Sequence, residues 1–245
     1  MVYRQRLYDT YVSRNKQFLR DLLPNPKKQD NRNIINLHHA ISFWLNEISR
    51  TGKVIDVACG AGNILNLLEF VGFTNLYGVD ISQEQVNIAH ERFPQVICGD
   101  AIEYLLQHPN EFVLITAFDI LEHFNKEEAF NFLEAINSAL VPGGSLILQL
   151  PNGDSPFAGG TIYGDLTHEV TYTSVSLKHI LLVCGFGDVK FQEHGPQPTS
   201  LKGVARFGIW GVIRQIIKLI HFIETGGPST EIYTRVMRAY AVKHS

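Results

Sequence analysis

Val54-Ile55-Asp56-Val57-Ala58-Cys59-Gly60-Ala61-Gly62-Asn63 reads as a buried strand that runs into a glycine turn and a helix start. Apolar side chains around a single carboxylate suit a parallel strand covered on both faces. Gly60 and Gly62 let the chain turn tightly and expose backbone N–H groups, so that a ligand can approach closely. The nearest sequel is Gly78-Val79-Asp80-Ile81-Ser82, a second apolar run that again carries an acid at its end. Two strand ends bearing carboxylates beside a glycine turn make a nucleoside pocket.

What the turn lacks narrows the ligand. A dinucleotide fingerprint needs a third glycine for close helix–strand packing, and the register after Gly60 and Gly62 puts Leu65 there. No Lys-Ser or Lys-Thr pair follows the turn, so a nucleoside-triphosphate loop is excluded. Glycines preceded by an acid, without phosphate-specific features, suit a nucleoside with an amino-acid tail.

Outward from this stretch, strand and helix patterns alternate. Residues 54–58, 76–81, 96–99, 112–118 and 145–150 read as strands, with helices over 64–71, 83–93, 101–106 and 127–140 between them. This alternation specifies an α/β, doubly wound sheet with its ligand at the strands' C-terminal ends. The regularity lapses over 151–172, a loop rich in Gly, Pro, Asp and Thr, and loops of this length are often functional. A helix over 174–184 closed by Gly185, a short strand over 187–192 and a last strand over 233–242 follow. Upstream, residues 1–23 carry apolar side chains at helical intervals, and residues 24–31 break that pattern. Leu37, Ile41, Trp44, Leu45 and Ile48 then form one apolar stripe on a helix stopped by Gly52. The expected organisation is an N-terminal helical cap over residues 1–50 and one α/β domain over 51–245.

At 245 residues the chain can bury a substantial core, and 45% hydrophobic against 18% charged residues is a globular balance rather than a disordered one. A net charge of -3 argues against nucleic acid as the partner. Cys59, Cys98 and Cys184 have no CxxC spacing and fit reduced thiols. The start at Met1 leads into a polar segment without a signal-peptide apolar region, so a cytoplasmic location is expected.

Asp56-Val57-Ala58-Cys59-Gly60-Ala61-Gly62 resembles the first motif of class I S-adenosylmethionine-dependent methyltransferases, with Ala58 in place of a commoner glycine. Asp80, with Ile81 after it, stands where that family's acid grips the ribose hydroxyls, about 20 residues onward. Gly99-Asp100-Ala101 resembles the motif whose acid takes the adenine amino group and whose next residue packs near the ring. Phe118-Asp119-Ile120-Leu121-Glu122-His123 resembles the segment after the fourth strand, and Leu140-Val141-Pro142-Gly143-Gly144 the turn before the fifth. The resemblance spans residues 50–195, with the motifs in order. It implies a Rossmann-like, seven-stranded sheet whose last strand is antiparallel and lies beside the fifth. It also implies S-adenosyl-L-methionine as cofactor, bound by Asp56, Ala58, Gly60, Gly62, Asp80, Ile81, Asp100, Ala101, Asp119 and His123. Asp56 and the glycine turn would lie near its methionine part.

The loop Tyr163-Gly164-Asp165-Leu166-Thr167-His168-Glu169-Val170-Thr171-Tyr172-Thr173 resembles the Asp-x-Thr-His segment of methyltransferases found with sugar- and surface-polysaccharide-modifying enzymes. Methyl transfer to a hydroxyl needs in-line alignment and often a group to take the proton. His168 is the candidate base, and Asp165 would orient it or bind an acceptor hydroxyl. A packing role stands beside this one, with His168 anchoring the loop and Thr173 capping the next helix. His123 is a second candidate base, or a residue that closes the pocket. Glu122 and His123 give two adjacent ligands without a clear third, so no metal is expected. The expected activity is O-methylation of a small polar acceptor, a sugar or glycan-precursor hydroxyl. A quinone or phenol O-methyltransferase is the alternative, and an NAD-dependent oxidoreductase or a non-catalytic cofactor-binding protein stand for other classes.

Residues 206–224 form an apolar insertion in which Arg214, Lys218 and His221 share one helix face. Two central cations would each cost about 2.5–3.5 kcal/mol in a bilayer, so the insertion does not span one. Packing on its own domain or a partner subunit accounts for the pattern most simply, and peripheral contact with the inner membrane face is the alternative.

Overall fold

The computed structural model describes residues 26–244, with side chains from Ile35 onward. The helical pattern read over residues 1–23 lies outside them. Helix α1 (Pro26–Leu45) begins inside the stretch expected to break it. Pro26 is its first residue, where a missing N–H is harmless and a fixed φ suits the helix. It also ends before Gly52, so Ile48 lies in the following turn, its N–H donating to Leu45 O at 3.2 Å.

Seven strands form one sheet: β1 (Val54–Val57), β2 (Leu76–Asp80), β3 (Val96–Cys98), β4 (Phe112–Phe118), β5 (Leu140–Pro151), β6 (Phe186–Glu193) and β7 (Val236–Lys243). Their order is β3-β2-β1-β4-β5-β7-β6. The first five run parallel, and β7 inserts antiparallel between β5 and β6. The order reverses between β1 and β4, which opens a crevice at their C-terminal ends. β5 is longer than the expected 145–150 because Leu140 already pairs with Phe112 before an irregularity shifts the register to Leu114 and Ser145.

Between the strands lie α2 (Asn63–Phe70), α3 (Gln83–His90), α4 (Ala101–Leu106), α5 (Lys126–Ala139), α6 (Gly159–Ile162), α7 (Ser174–Val183) and α8 (Leu201–Thr225). Two cores sandwich the sheet. Ile41, Leu65, Leu68, Val86 and Ala89 of α1–α3 cover one face, and Leu105, Phe132, Leu133, Ile136, Leu177 and Leu181 of α4, α5 and α7 cover the other. Each such large apolar side chain contributes about 1.5–3 kcal/mol by leaving water. Capping boxes fix the starts of α5 (Asn125 with Glu128) and α7 (Thr173 with Ser176), so Thr173 does cap its helix. Close packing of α2 on the sheet does not need the missing third glycine. Gly78 on β2 supplies the room instead: a Cβ there would lie 2.9 Å from Cys59 Sγ and 3.2 Å from Leu65 Cδ1.

α8 meets its own domain through its polar stripe rather than its apolar face. Its polar stripe faces inward, with Arg214 Nε 3.3 Å and Trp210 Nε1 3.1 Å from Glu193 Oε2, and Lys218 Nζ 2.6 Å from Glu231 Oε1. Phe207, Val212, Ile216, Leu219 and Ile223 are exposed on the outside. α1 is tied to the segment that leads into α8, where Thr199 Oγ1 donates to Asn36 Oδ1 at 2.6 Å.

Candidate active site

The turn after β1 is built from left-handed residues: Ala58 at φ 57°, Gly60 at 51° and Gly62 at 83°. A Cβ added at Gly60 would have nothing within 4 Å, so the backbone there is open to a ligand. Asp80 holds this turn from the neighbouring strand. Its Oδ2 accepts from Gly60 N and its Oδ1 from Ser82 N, each at 2.8 Å. One carboxylate thus fixes the glycine turn and the start of α3, and keeps lone pairs for a further donor. Beside it Ile81 presents an exposed apolar side chain. Asp100 uses Oδ1 to cap α4 through Glu103 N at 3.0 Å, with Ala101 half-buried behind it.

Asp56 lies beneath the turn rather than lining it. It is 1% exposed and accepts from Thr116 Oγ1 at 2.6 Å. Burial, opposed by that hydrogen bond and reinforced by Asp80, raises its pKa to about 7. Below pH 4 the folded and unfolded states both hold the proton. Between pH 4 and 7 only the folded state does, so stability falls as pH rises, by about 4 kcal/mol in all. Asp56→Asn keeps an acceptor for Thr116 and escapes this loss. Thermal melts should show the variant matching wild type at pH 4 and melting about 10 °C higher at pH 8; equal melts at pH 8 would refute the assignment.

The acceptor side is assembled by the loop after β5. Its two ends are pinned together by a bridge between Asn152 and Tyr172, with Gly153 N donating to Tyr172 O at 2.8 Å. Its middle is pinned to the 3₁₀ turn Leu121–His123, where Glu122 O accepts from Glu169 N at 2.8 Å and Val170 N at 3.2 Å. His168 therefore sits against His123, ring centroids 4.8 Å apart. His168 Nδ1 lies 2.9 Å from Ile162 O. A carbonyl can only accept, so Nδ1 carries the proton and Nε2 the lone pair. Nε2 stands 4.0 Å from Glu122 Oε1.

Asp165 acts one step away. Its Oδ1 accepts from Thr167 Oγ1 at 2.6 Å, and Thr167 Oγ1 lies 2.8 Å from His123 Nδ1. Asp165 thus orients His123 through Thr167 rather than gripping His168. Burial, followed by the charge of Asp119, holds the Glu122 carboxyl well above the ordinary range. The Tyr172 hydroxyl, without a hydrogen-bond partner, is pushed up to about 12 by burial and by Glu122. Asp119, at φ 54°, accepts from Gln149 Nε2 at 3.1 Å. Gln149 Oε1 in turn accepts from the buried Arg238 Nε at 3.0 Å, across the β5–β7 pair.

A family model described as a methyltransferase domain matches residues 10–189. The chain belongs to that family. Among solved structures, this methyltransferase resembles a SAM-dependent methyltransferase from Archaeoglobus fulgidus. The two share 22% identity and a TM-score of 0.65, over 86% of this chain and 94% of the other. Phosphoethanolamine N-methyltransferase 2 of Haemonchus contortus, solved with S-adenosyl-L-methionine, aligns at 18% identity and TM-score 0.59, over 88% of this chain and 53% of that one. These similarities establish the fold.

Two curated relatives match by sequence. A ubiquinone biosynthesis O-methyltransferase of Thiobacillus denitrificans is 30% identical over 108 residues, 41% of this chain and 44% of that protein. A ribosomal protein L11 methyltransferase of Staphylococcus epidermidis is 34% identical over 84 residues, 33% of this chain and 27% of that protein. The matches therefore span less than half of either relative.

The family's cofactor is S-adenosyl-L-methionine, and the methyltransferase's residues fit it. Gly60 leaves open backbone, Asp80 keeps free lone pairs, Ile81 offers an apolar face and Asp100 has its Oδ2 outside the helix cap. Strand ends bring together Asp80, Asp100 and the turn, as the sequence motifs implied. Sequence reasoning did not find Thr116, Gln149, Thr167 or Arg238. The first and last pairings depend on strand register, and only the Asp-x-Thr-His spacing signalled Thr167. It also left Glu122 and His123 without a third ligand, whereas the fold brings His168 to them.

Proposed function

We propose that this methyltransferase moves a methyl group from S-adenosyl-L-methionine to a hydroxyl of a small polar acceptor, a sugar or glycan precursor. The observation that carries the reading is His168, whose Nδ1 is held by Ile162 O so that Nε2 faces Glu122 at the turn after β4. When bound, the cofactor supplies an electrophilic methyl on a sulfonium, whose sulfur departs neutral. His168 Nε2 would accept the hydroxyl proton and so leave the acceptor oxygen's electron pair free for the methyl group. Asp165, through Thr167, keeps His123 oriented at the same wall.

The partial similarity to a ubiquinone-biosynthesis O-methyltransferase favours a phenolic hydroxyl as the second reading. Labelled methyl transfer to a panel of nucleotide sugars and of dihydroxy aromatics separates the two. Label in the sugars supports the first reading, and label confined to the aromatics replaces it with the second.

The helical cap proposed for residues 1–50 is supported by Ile41 and Leu45 of α1 in the core. For α8, the inward cations and outward apolar face support contact with a second copy of the chain rather than with anionic lipid. No described helix is long and apolar enough to cross a membrane. Sedimentation equilibrium should give a dimer for wild type and a monomer for the Ile216→Asp/Leu219→Asp double variant. A wild-type monomer that pellets with vesicles would overturn the dimer in favour of the membrane.

A further inference from the structure

We propose that Glu122, His123 and His168 form a binding site for one first-row divalent transition-metal ion at the acceptor wall. The catalytic part of this proposal rests on the methyl-transfer reading above; the binding part does not. One ligand atom from each of the three residues lies within 4.8 Å of the others. Bonds of about 2.0–2.2 Å would set adjacent ligands roughly 3–4 Å apart, so movements of about an ångström close the site.

The surrounding bonds prepare the ligands. His168 donates from Nδ1 to Ile162 O. Thr167 Oγ1 donates its own proton to Asp165, so toward His123 it accepts, and His123 Nδ1 is the donor. Both imidazoles therefore carry their protons on Nδ1 and their lone pairs on Nε2, the arrangement that outer hydrogen bonds impose on metal-binding histidines.

The third ligand carries an unpartnered oxygen. Glu122 is 2% exposed, and its Oε2 has no hydrogen-bond partner. Leaving such a buried oxygen unsatisfied is costly. A divalent ion takes the orphan oxygen as a ligand. Two imidazoles and one carboxylate select Mn²⁺, Fe²⁺, Co²⁺, Ni²⁺ or Zn²⁺ over Mg²⁺ or Ca²⁺, and leave open coordination positions.

An acceptor hydroxyl entering one of those positions becomes more acidic. Its proton can then leave to solvent water, while the oxygen keeps the electron pair that bonds to the methyl carbon. In that state His168 serves as a ligand, and the ion replaces it in making the oxygen nucleophilic.

The test uses the full chain without a polyhistidine tag, stripped with chelator and dialysed. Co²⁺ is titrated by visible absorption and calorimetry, with Mg²⁺ as comparison, in wild type, Glu122→Gln and His168→Ala. S-adenosylhomocysteine is titrated into the same samples. The expected result is one Co²⁺ per chain at micromolar affinity or tighter, Mg²⁺ at least 100-fold weaker, and at least a tenfold loss in each variant. Affinity for S-adenosylhomocysteine should stay within threefold throughout. No Co²⁺ binding to wild type, or equal binding in wild type and both variants, overturns the ion site. The wild-type titration decides even if a variant misfolds. Co²⁺ bound without any S-adenosylhomocysteine binding upholds the site and overturns the methyl-transfer reading instead.

Discussion

Asp80→Ala should weaken S-adenosylhomocysteine binding about 100-fold while leaving the fold intact. The carboxylate accepts from Gly60 N and Ser82 N, each at 2.8 Å, so its loss frees the glycine turn and the head of α3 together. Hydrogen bonds to a charged group contribute about 1.5–3 kcal/mol each, and the ribose contact implied by the family is lost as well. Asp80→Asn keeps one acceptor but points an amide N–H₂ at a backbone donor, and should fall between the two, near a tenfold loss. Asp80 is half-buried rather than central to the core, so circular dichroism should be unchanged. Calorimetric affinities of wild type and Asp80→Ala within threefold of each other would show that the turn does not hold the nucleoside.

His168→Ala has the second large effect. With a methyl acceptor in hand, kcat should fall about 10²- to 10⁴-fold, the range of a lost general base, while S-adenosylhomocysteine affinity stays near wild type. Removing the ring also removes its bond to Ile162 O, so a loop-anchoring role alone predicts a loss too. Exogenous imidazole separates the two, because a small base can restore proton transfer without restoring the anchor. Recovery of part of kcat supports the chemical role. A variant within fivefold of wild type would remove His168 from the chemistry.

The sheet was legible because its signals are local. Apolar runs of strand length alternated with helical spacing, and Ala101–Leu106 and Phe112–Phe118 fall where periodicity placed them. Boundaries moved where a local signal had two meanings. Pro26 read as a breaker, yet proline is welcome in the first turn of a helix. The contact of Asp80 with the glycine turn has the same local origin, since the two lie at the ends of adjacent strands.

The acceptor side was not, because its geometry depends on long-range pairing. Nothing near Asp119 announces Arg238, which reaches it through Gln149 only once β7 pairs antiparallel with β5. Likewise, no spacing predicts that Glu122 O will hold Glu169 N and so bring His168 to His123. For α8, the stripe of Arg214 and Lys218 was visible, but its direction was set by Glu193 and Glu231, one of them on a different strand. An amphipathic pattern gives a face, and only the partners say which way it turns.

We propose that the turn at Gly60 and Gly62, with Asp80 and Asp100, binds the methyl donor. Calorimetric titration of S-adenosylhomocysteine into the wild-type chain tests it most directly. The expected result is saturable binding of one molecule per chain and a matching rise in melting temperature. No heat and no thermal shift at millimolar ligand would contradict it.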